Sequence, residues 1–254
     1  MLETHGLTRQ FGGLTAVDQV DLTIKDGEIV SIIGPNGAGK TTMFNLITGQ
    51  FRPTAGRISL RGTDITGWSP HAIAAAGITR TFQATRVFGE FDLVQNVMIG
   101  RHCRTRSGVF AALARGRRFR EEERQSEDAA REVLAFVGLD AQARRRASEL
   151  PTEAQQRIAI AIALGAAPKL LLLDEPTGGM TDEEVGRLVE LIHGIRERGV
   201  TIGLIEHRMK VVMGISDRVI VLDHGGKIAE GTPVTVQQDP TVIAAYLGTS
   251  GDGR

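Results

Sequence analysis

The segment GPNGAGKTT, Gly34 to Thr42, restricts this chain to few architectures. It matches the pattern G-x-x-x-x-G-K-[ST]. A nearly continuous apolar run, Ile29 to Ile33, precedes it. TTMFNLITG follows, with Phe44 and Ile47 at helical spacing and Gly49 as a stop. A buried strand, a glycine turn and a helix in that order form a phosphate cradle. Glycines let main-chain N–H groups turn inward, at the N-terminus of a helix whose dipole favours an anion. Lys40 brings positive charge to the outer phosphates of a nucleotide, and the Thr41 hydroxyl suits Mg²⁺.

KLLLLDEP reads as a second buried strand, ending in Asp174 and Glu175. Beside the phosphate loop, Asp174 is placed to hold Mg²⁺ through a water, and Glu175 to orient or deprotonate an attacking water. VDLTIKDGEIVSIIG reads as two strands around a turn at Asp26-Gly27. DEEVGRLVELIHGIRERG reads as a helix with Val185, Leu188, Ile192 and Ile195 inward and Gly199 at its end. VTIGLIEH is a further strand, and RVIVLDHGGKIAEG a hairpin. Strands and helices alternating this way predict an α/β protein with a parallel sheet covered by helices.

From about residue 92 to 147 the texture changes to a charged and then amphipathic segment. Ala130, Val133, Leu134 and Val137 recur at helical spacing, and Glu127 stands four residues before Arg131. This segment is expected to be a helical lobe inserted into a single domain, with residues 1–91 and 148–254 as the α/β core.

Lys and Arg together number 30, as do Asp and Glu, so the overall charge points to no nucleic-acid partner. The single cysteine, Cys103, rules out an internal disulfide and fits a reducing compartment. The start of the chain carries no basic-then-apolar signal pattern. The longest apolar run, Ile158 to Ala167, is far shorter than the roughly 20 residues that span a bilayer. Work at a membrane is therefore expected to run through partner chains.

Beyond these two motifs, RTFQ ends in Gln83, IEH ends in His207, and Phe11 lies 29 residues before Lys40. With them the chain resembles the nucleotide-binding subunits of ABC transporters over nearly its whole length. The resemblance implies an ABC-type phosphate-loop core with a mixed sheet, an antiparallel β subdomain and the inserted helical lobe. It implies ATP and Mg²⁺ as cofactors. Phe11 would lie against adenine, and Gly34, Pro35, Asn36, Gly37, Ala38, Gly39, Lys40, Thr41 and Thr42 would hold the phosphates. Gln83 would reach Mg²⁺ and the attacking water, and His207 the γ-phosphate. RTFQATRVF, IEHRMKVVMGISDRVIVLDHGGKIAEGTP and the tail DPTVIAAYLG look like ATPase subunits of importers for branched-chain amino acids, urea or short amides. Transmembrane permease subunits, a second ABC ATPase and, indirectly, an extracytoplasmic solute-binding protein are the implied partners. The implied location is cytoplasmic, on the inner face of the membrane.

One stretch departs from the family. ELPTEAQQRIAIAIAL lies where a Leu-Ser-Gly-Gly-Gln signature grips the γ-phosphate of ATP held by the opposite subunit. Here Pro151, Thr152, Glu153 and Ala154 replace Ser-Gly-Gly-Gln. Pro151 has neither hydroxyl nor N–H. Thr152 is expected to cap the following helix, with Gln155 closing a capping box. Glu153 is expected to repel the partner's ATP by on the order of 4 kcal/mol per charge pair. The expected consequence is a heterodimer with unequal ATP sites; the alternative is a loop that tolerates variation, with Glu153 turned to solvent. Thr181, where the family carries Asp or Asn, is a milder departure.

The competing assignments are weaker. A soluble ABC ATPase acting on DNA or ribosomes would carry a coiled coil or a second cassette, and neither is visible. A guanine nucleotide would call for Asn-Lys-x-Asp, which is missing. A regulatory, low-activity subunit fits the altered signature but not the presence of both Glu175 and His207.

Overall fold

The computed structural model describes residues 1–81, 87–101 and 117–248. Gln83 and Cys103 lie outside the described residues. The first half contains β1 (Leu2–Phe11), β2 (Leu14–Ile24), β3 (Ile29–Ile33), α1 (Lys40–Ile47), β4 (Ala55–Leu60), β5 (Thr63–Asp64), α2 (Pro70–Ala76) and β6 (Ile78–Arg80). Next come α3 (Leu93–Arg101), α4 (Arg117–Phe136) and α5 (Thr152–Gly165). Then follow β7 (Leu170–Asp174), α6 (Asp182–Glu197), β8 (Thr201–Ile205), α7 (Met209–Ile215), β9 (Arg218–Asp223), β10 (Gly226–Gly231), α8 (Pro233–Gln237) and α9 (Pro240–Gly248).

The strands form two sheets. One is antiparallel, in the order β2-β1-β4-β5. The other runs β10-β9-β3-β8-β7-β6 and is parallel except at its β9–β10 edge, so this sheet is mixed. Every residue of β3, β7 and β8 is buried, as expected of parallel strands covered on both faces. The same burial explains why β2 and β3, adjacent through Asp26-Gly27, do not pair with each other. β2 buries only alternate residues near its end and joins the antiparallel sheet, while apolar β3 goes to the centre of the other. The β9–β10 turn is tight, with φ positive at both His224 (44°) and Gly225 (84°), the geometry that matches strand twist.

The helix read over residues 182–197 buries Val185, Leu188, Ile192 and Ile195. Thr181 caps it in a reciprocal capping box with Glu184. Leu93, Val94 and Val97 of α3 pack with Ala130 and Leu134 of α4 in a separate apolar cluster. α5 gives Ala154, Ile158 and Ala161 to that cluster, while Ile160 and Ala163 face the core. α5 therefore links the charged segment to the sheet, and its first turn carries residues 151–154.

The capping box expected at Thr152 is not formed. Thr152 already lies inside the helix, Pro151 takes the cap position, and no side chain caps it. A proline side chain cannot accept a hydrogen bond, and Gln155 instead donates to the Leu150 carbonyl at 2.9 Å.

Candidate nucleotide site

The phosphate loop runs from the buried end of β3 into α1. Gly39 takes the cap position with φ +99°, and α1 has neither a side-chain cap nor an acid in its first turn. The first-turn N–H groups are thus left for an outside anion. Close approach adds a second demand for glycine. A Cβ on Gly34 would lie 2.0 Å from the Leu222 carbonyl oxygen, and one on Gly39 would lie 2.3 Å from that of Ala16. The buried Lys40 curls back over the loop, its Nζ donating to Gly34 O (2.7 Å) and Pro35 O (2.8 Å). Burial lowers its pKa, while the charges of Glu175 and Asp174 oppose that shift.

Asp174 ends β7 beneath the loop. Its side chain and that of Arg80 are 1% and 4% exposed, and Arg80 Nη2 donates to Asp174 Oδ2 at 2.5 Å. Breaking such a buried pair from one side costs about 3–5 kcal/mol. Asp174 Oδ1 is buried with no hydrogen-bond partner among the described residues.

Glu175 adopts φ +48°, in the left-handed region that an L-residue occupies at a cost of about 1–3 kcal/mol. Its N–H donates to Ile205 O at 2.9 Å, which ties the ends of β7 and β8 together. Its Oε1 lies 2.6 Å from His207 Nε2. Behind this pair, the buried Glu206 accepts from the Thr177 N–H (3.1 Å) and the Thr177 hydroxyl, and from the N–H groups of His207 (2.8 Å) and Arg208 (3.1 Å). One buried carboxylate thereby fixes the two loops that present Glu175 and His207.

Phe11 is held edge-on by Phe51 at 5.2 Å between ring centroids, and the Arg9 guanidinium lies 4.5 Å from its centroid. Phe11, Asn36, Gly37, Ala38, Gly39, Lys40, Thr41, Thr42, Glu175 and His207 all line one cavity of about 350 Å³. That volume falls in the range of ordinary ligand sites. Asp174 is not among the residues of the cavity wall, but it is near enough for its charge to act on Lys40. Residues 151–154 are not part of it. Arg80 and Glu206 are the polar residues that sequence reasoning passed over. Both stand inside motifs chosen for another residue, RTFQ and IEH, and the only local signal was an ionisable group beside an apolar strand.

The Glu153 carboxylate is turned onto its own chain. Arg187 grips it with two bonds, Nε to Oε1 at 3.0 Å and Nη2 to Oε2 at 3.1 Å. Arg157, one turn along α5, reaches Oε1 at 2.9 Å. The expected repulsion of several kcal/mol presumed an unpaired charge, and that premise does not hold here. The Arg187 hydrogen bond, followed by the charges of Arg157 and Arg187, holds the carboxyl below the ordinary glutamate value of 4.5 despite partial burial. A lowered folded pKa contributes stability above the unfolded pKa, and that stability is lost as pH falls through the folded value. Glu153→Gln is therefore expected to cost about 1 kcal/mol at neutral pH. In urea titrations across pH, the gap between the two proteins should close only below pH 4.5.

Comparison with known proteins gives the family. The family model described as "ABC transporter" matches residues 17–178. A second, "Branched-chain amino acid ATP-binding cassette transporter", matches residues 227–252. The chain is 43% identical over 249 residues to the high-affinity branched-chain amino acid transport ATP-binding protein LivG of Salmonella typhimurium, covering 98% of each. The corresponding protein BraF of Pseudomonas aeruginosa also gives 43% identity and 98% coverage of both chains. The ADP conformation of MJ1267, an ATP-binding cassette of an ABC transporter, superposes with a TM-score of 0.85 at 30% identity, covering 98% of each chain. The fold and the phosphate loop define a phosphate-loop nucleoside triphosphatase. More narrowly, the chain belongs to the ABC transporter family and is an ATPase of the ATP-binding-cassette type.

Proposed function

We propose that this chain is the ATP-hydrolysing subunit of an importer for branched-chain amino acids, seated on transmembrane permease subunits at the inner face of the cell membrane. The observation that carries the proposal is the single cavity that gathers Phe11, the phosphate loop, Glu175 and His207, in a chain 43% identical to LivG and BraF. No helix among the described residues is long and apolar enough to cross a membrane. A second cavity, of about 430 Å³, opens among α2, β6, α3 and α5, lined by His71, Thr79, Ile99 and Ala163. Its wall includes Arg80, three residues before Gln83 in sequence, and it supports docking of the permease there.

In this reading Phe11 stacks on adenine, Lys40 and the loop N–H groups bind the phosphates, and His207 contacts the γ-phosphate. Glu175 orients or deprotonates the attacking water. Thr41, Asp174 and Gln83 would hold Mg²⁺, which supplies charge neutralisation to the phosphates when bound. The buried, unpartnered Asp174 Oδ1 fits that role. Two ATPs close a dimer of ATPase subunits, closure moves the permease, and hydrolysis reopens it. A solute-binding protein outside the cell would deliver the cargo.

The partner ATPase is proposed to be a different chain. Pro151 lacks an N–H and a hydroxyl, and Thr152 and Glu153 carry side chains where glycines let the main chain approach. The weakness of this signature lies in missing donors and lost closeness rather than in charge, because Glu153 is paired. The test is Mg-ATP hydrolysis by the purified chain at high concentration, beside a variant with Pro151→Ser, Thr152→Gly, Glu153→Gly and Ala154→Gln. The expected result is a nearly silent native chain and an active variant. Equal rates would show the native stretch to be a working grip and would remove the argument for unequal sites.

A further inference from the structure

We infer that Arg80 is a positioning residue that divides the work of the two Asp174 oxygens, holding Oδ2 and leaving Oδ1 to the nucleotide's metal. The inference rests on the Mg²⁺ role proposed above and goes beyond it to a residue outside the loop, strand-end and switch motifs. Arg80 closes β6, whose parallel register with β7 sets Arg80 beside Leu172, two residues before Asp174. Among the described residues, three contacts hold its guanidinium. Nη2 donates to Asp174 Oδ2 at 2.5 Å, Nη1 donates to Asn45 Oδ1 of α1 at 2.6 Å, and the group lies 5.6 Å from the centroid of the Phe44 ring. The Asp174 N–H is held as well, donating to the Thr81 hydroxyl at 3.4 Å.

A carboxylate bound by one planar donor cannot rotate freely about its last bond, so its second oxygen acquires a fixed direction. That second oxygen is Oδ1, buried and without a partner among the described residues. Leaving a buried carboxylate oxygen unsatisfied is unfavourable unless a ligand completes it. A hydrated cation beside the phosphates is such a ligand. The link to Asn45 also ties Asp174 to the helix that begins at Lys40, so phosphate loop and metal ligand are set relative to each other.

The experiment measures the affinity of the full chain for a fluorescent, non-hydrolysable ATP analogue, once in EDTA and once in Mg²⁺. The ratio of the two dissociation constants reports the metal's contribution, independent of turnover. For Arg80→Met the ratio is expected to fall by about tenfold, as for loss of an outer-shell partner, with EDTA affinity unchanged within about twofold. Arg80→Lys keeps the charge but reaches only one of its two oxygen partners, and its ratio should fall by about threefold. This second variant carries the test if Arg80→Met does not fold. An unchanged ratio overturns the inference. So does an equal loss in both conditions, which would make Arg80 a support of the fold. A larger ratio overturns it too, since Arg80 would then be a rival cation. If the native chain shows no Mg²⁺ effect at all, the metal reading itself fails, and that outcome is distinct from the other three.

Discussion

Glu175→Gln is expected to reduce ATP turnover by about 10²–10⁴-fold, the usual worth of a positioned general base. ATP affinity should stay within about twofold, since amide and carboxylate have the same shape and the phosphate grip lies elsewhere. The geometry argues for this split. Glu175 Oε1 lies 2.6 Å from His207 Nε2 at the wall of the cavity, and its main chain is tied to Ile205 by a 2.9 Å bond. The residue is held in a left-handed conformation, φ +48°, that the glutamine variant can keep. An amide can still hydrogen-bond to His207 but cannot take a proton from water. The measurement is phosphate release by the chain with its restored signature, alongside equilibrium binding of a fluorescent ATP analogue. Parallel loss of binding and turnover would place Glu175 in the support of the site instead of its chemistry.

Gly39→Ala is expected to abolish nucleotide binding and to destabilise the fold by about 1–3 kcal/mol. Two independent causes act at this position. The φ of +99° is one that an alanine rarely adopts, and its Cβ would lie 2.3 Å from the Ala16 carbonyl oxygen. Neither neighbour can withdraw cheaply. Ala16 belongs to β2, which pairs along β1, and the loop is pinned from the other side where the Gly225 N–H donates to Ala38 O at 3.2 Å. Gly225 in turn accepts from the Asp18 N–H at 2.9 Å. The loop is therefore wedged between β2 and the β9–β10 turn. Gly186, in α6 with open space around its Cβ position, is the control. Alanine there should raise stability by about 0.5–1 kcal/mol, the opposite sign, through helix propensity. Calorimetry and ATP-analogue titration on both variants check the contrast. Retained binding in Gly39→Ala would mean that the loop does not need its observed path.

The buried Glu206 explains why the Glu175–His207 pair is legible only in part from sequence. IEH names His207 as a candidate, yet its distance to Glu175 depends on the two loops that Glu206 joins through Thr177, His207 and Arg208. Residues 177 and 206 lie 29 apart in the chain, so no local window contains that bond.

The sequence by itself determined whatever depends on near neighbours along the chain. The strand–glycine–helix unit at Ile29 to Ile47, the capped helix after Thr181 and the β9–β10 hairpin all follow from period, caps and turn residues within about a dozen positions. The order of motifs likewise sufficed for the resemblance to ABC cassettes. Tertiary structure alone decided which sheet each strand joins, because β2 and β3 differ in burial and not in sequence distance. It also decided the state of each charge. Glu153 is paired by Arg187 from 34 residues away, and Asp174 by Arg80 from 94 residues away. Whether a carboxylate repels a phosphate or rests neutralised depends on what lies within a few ångströms of it, since Coulomb energy falls with distance in space and is indifferent to separation along the chain.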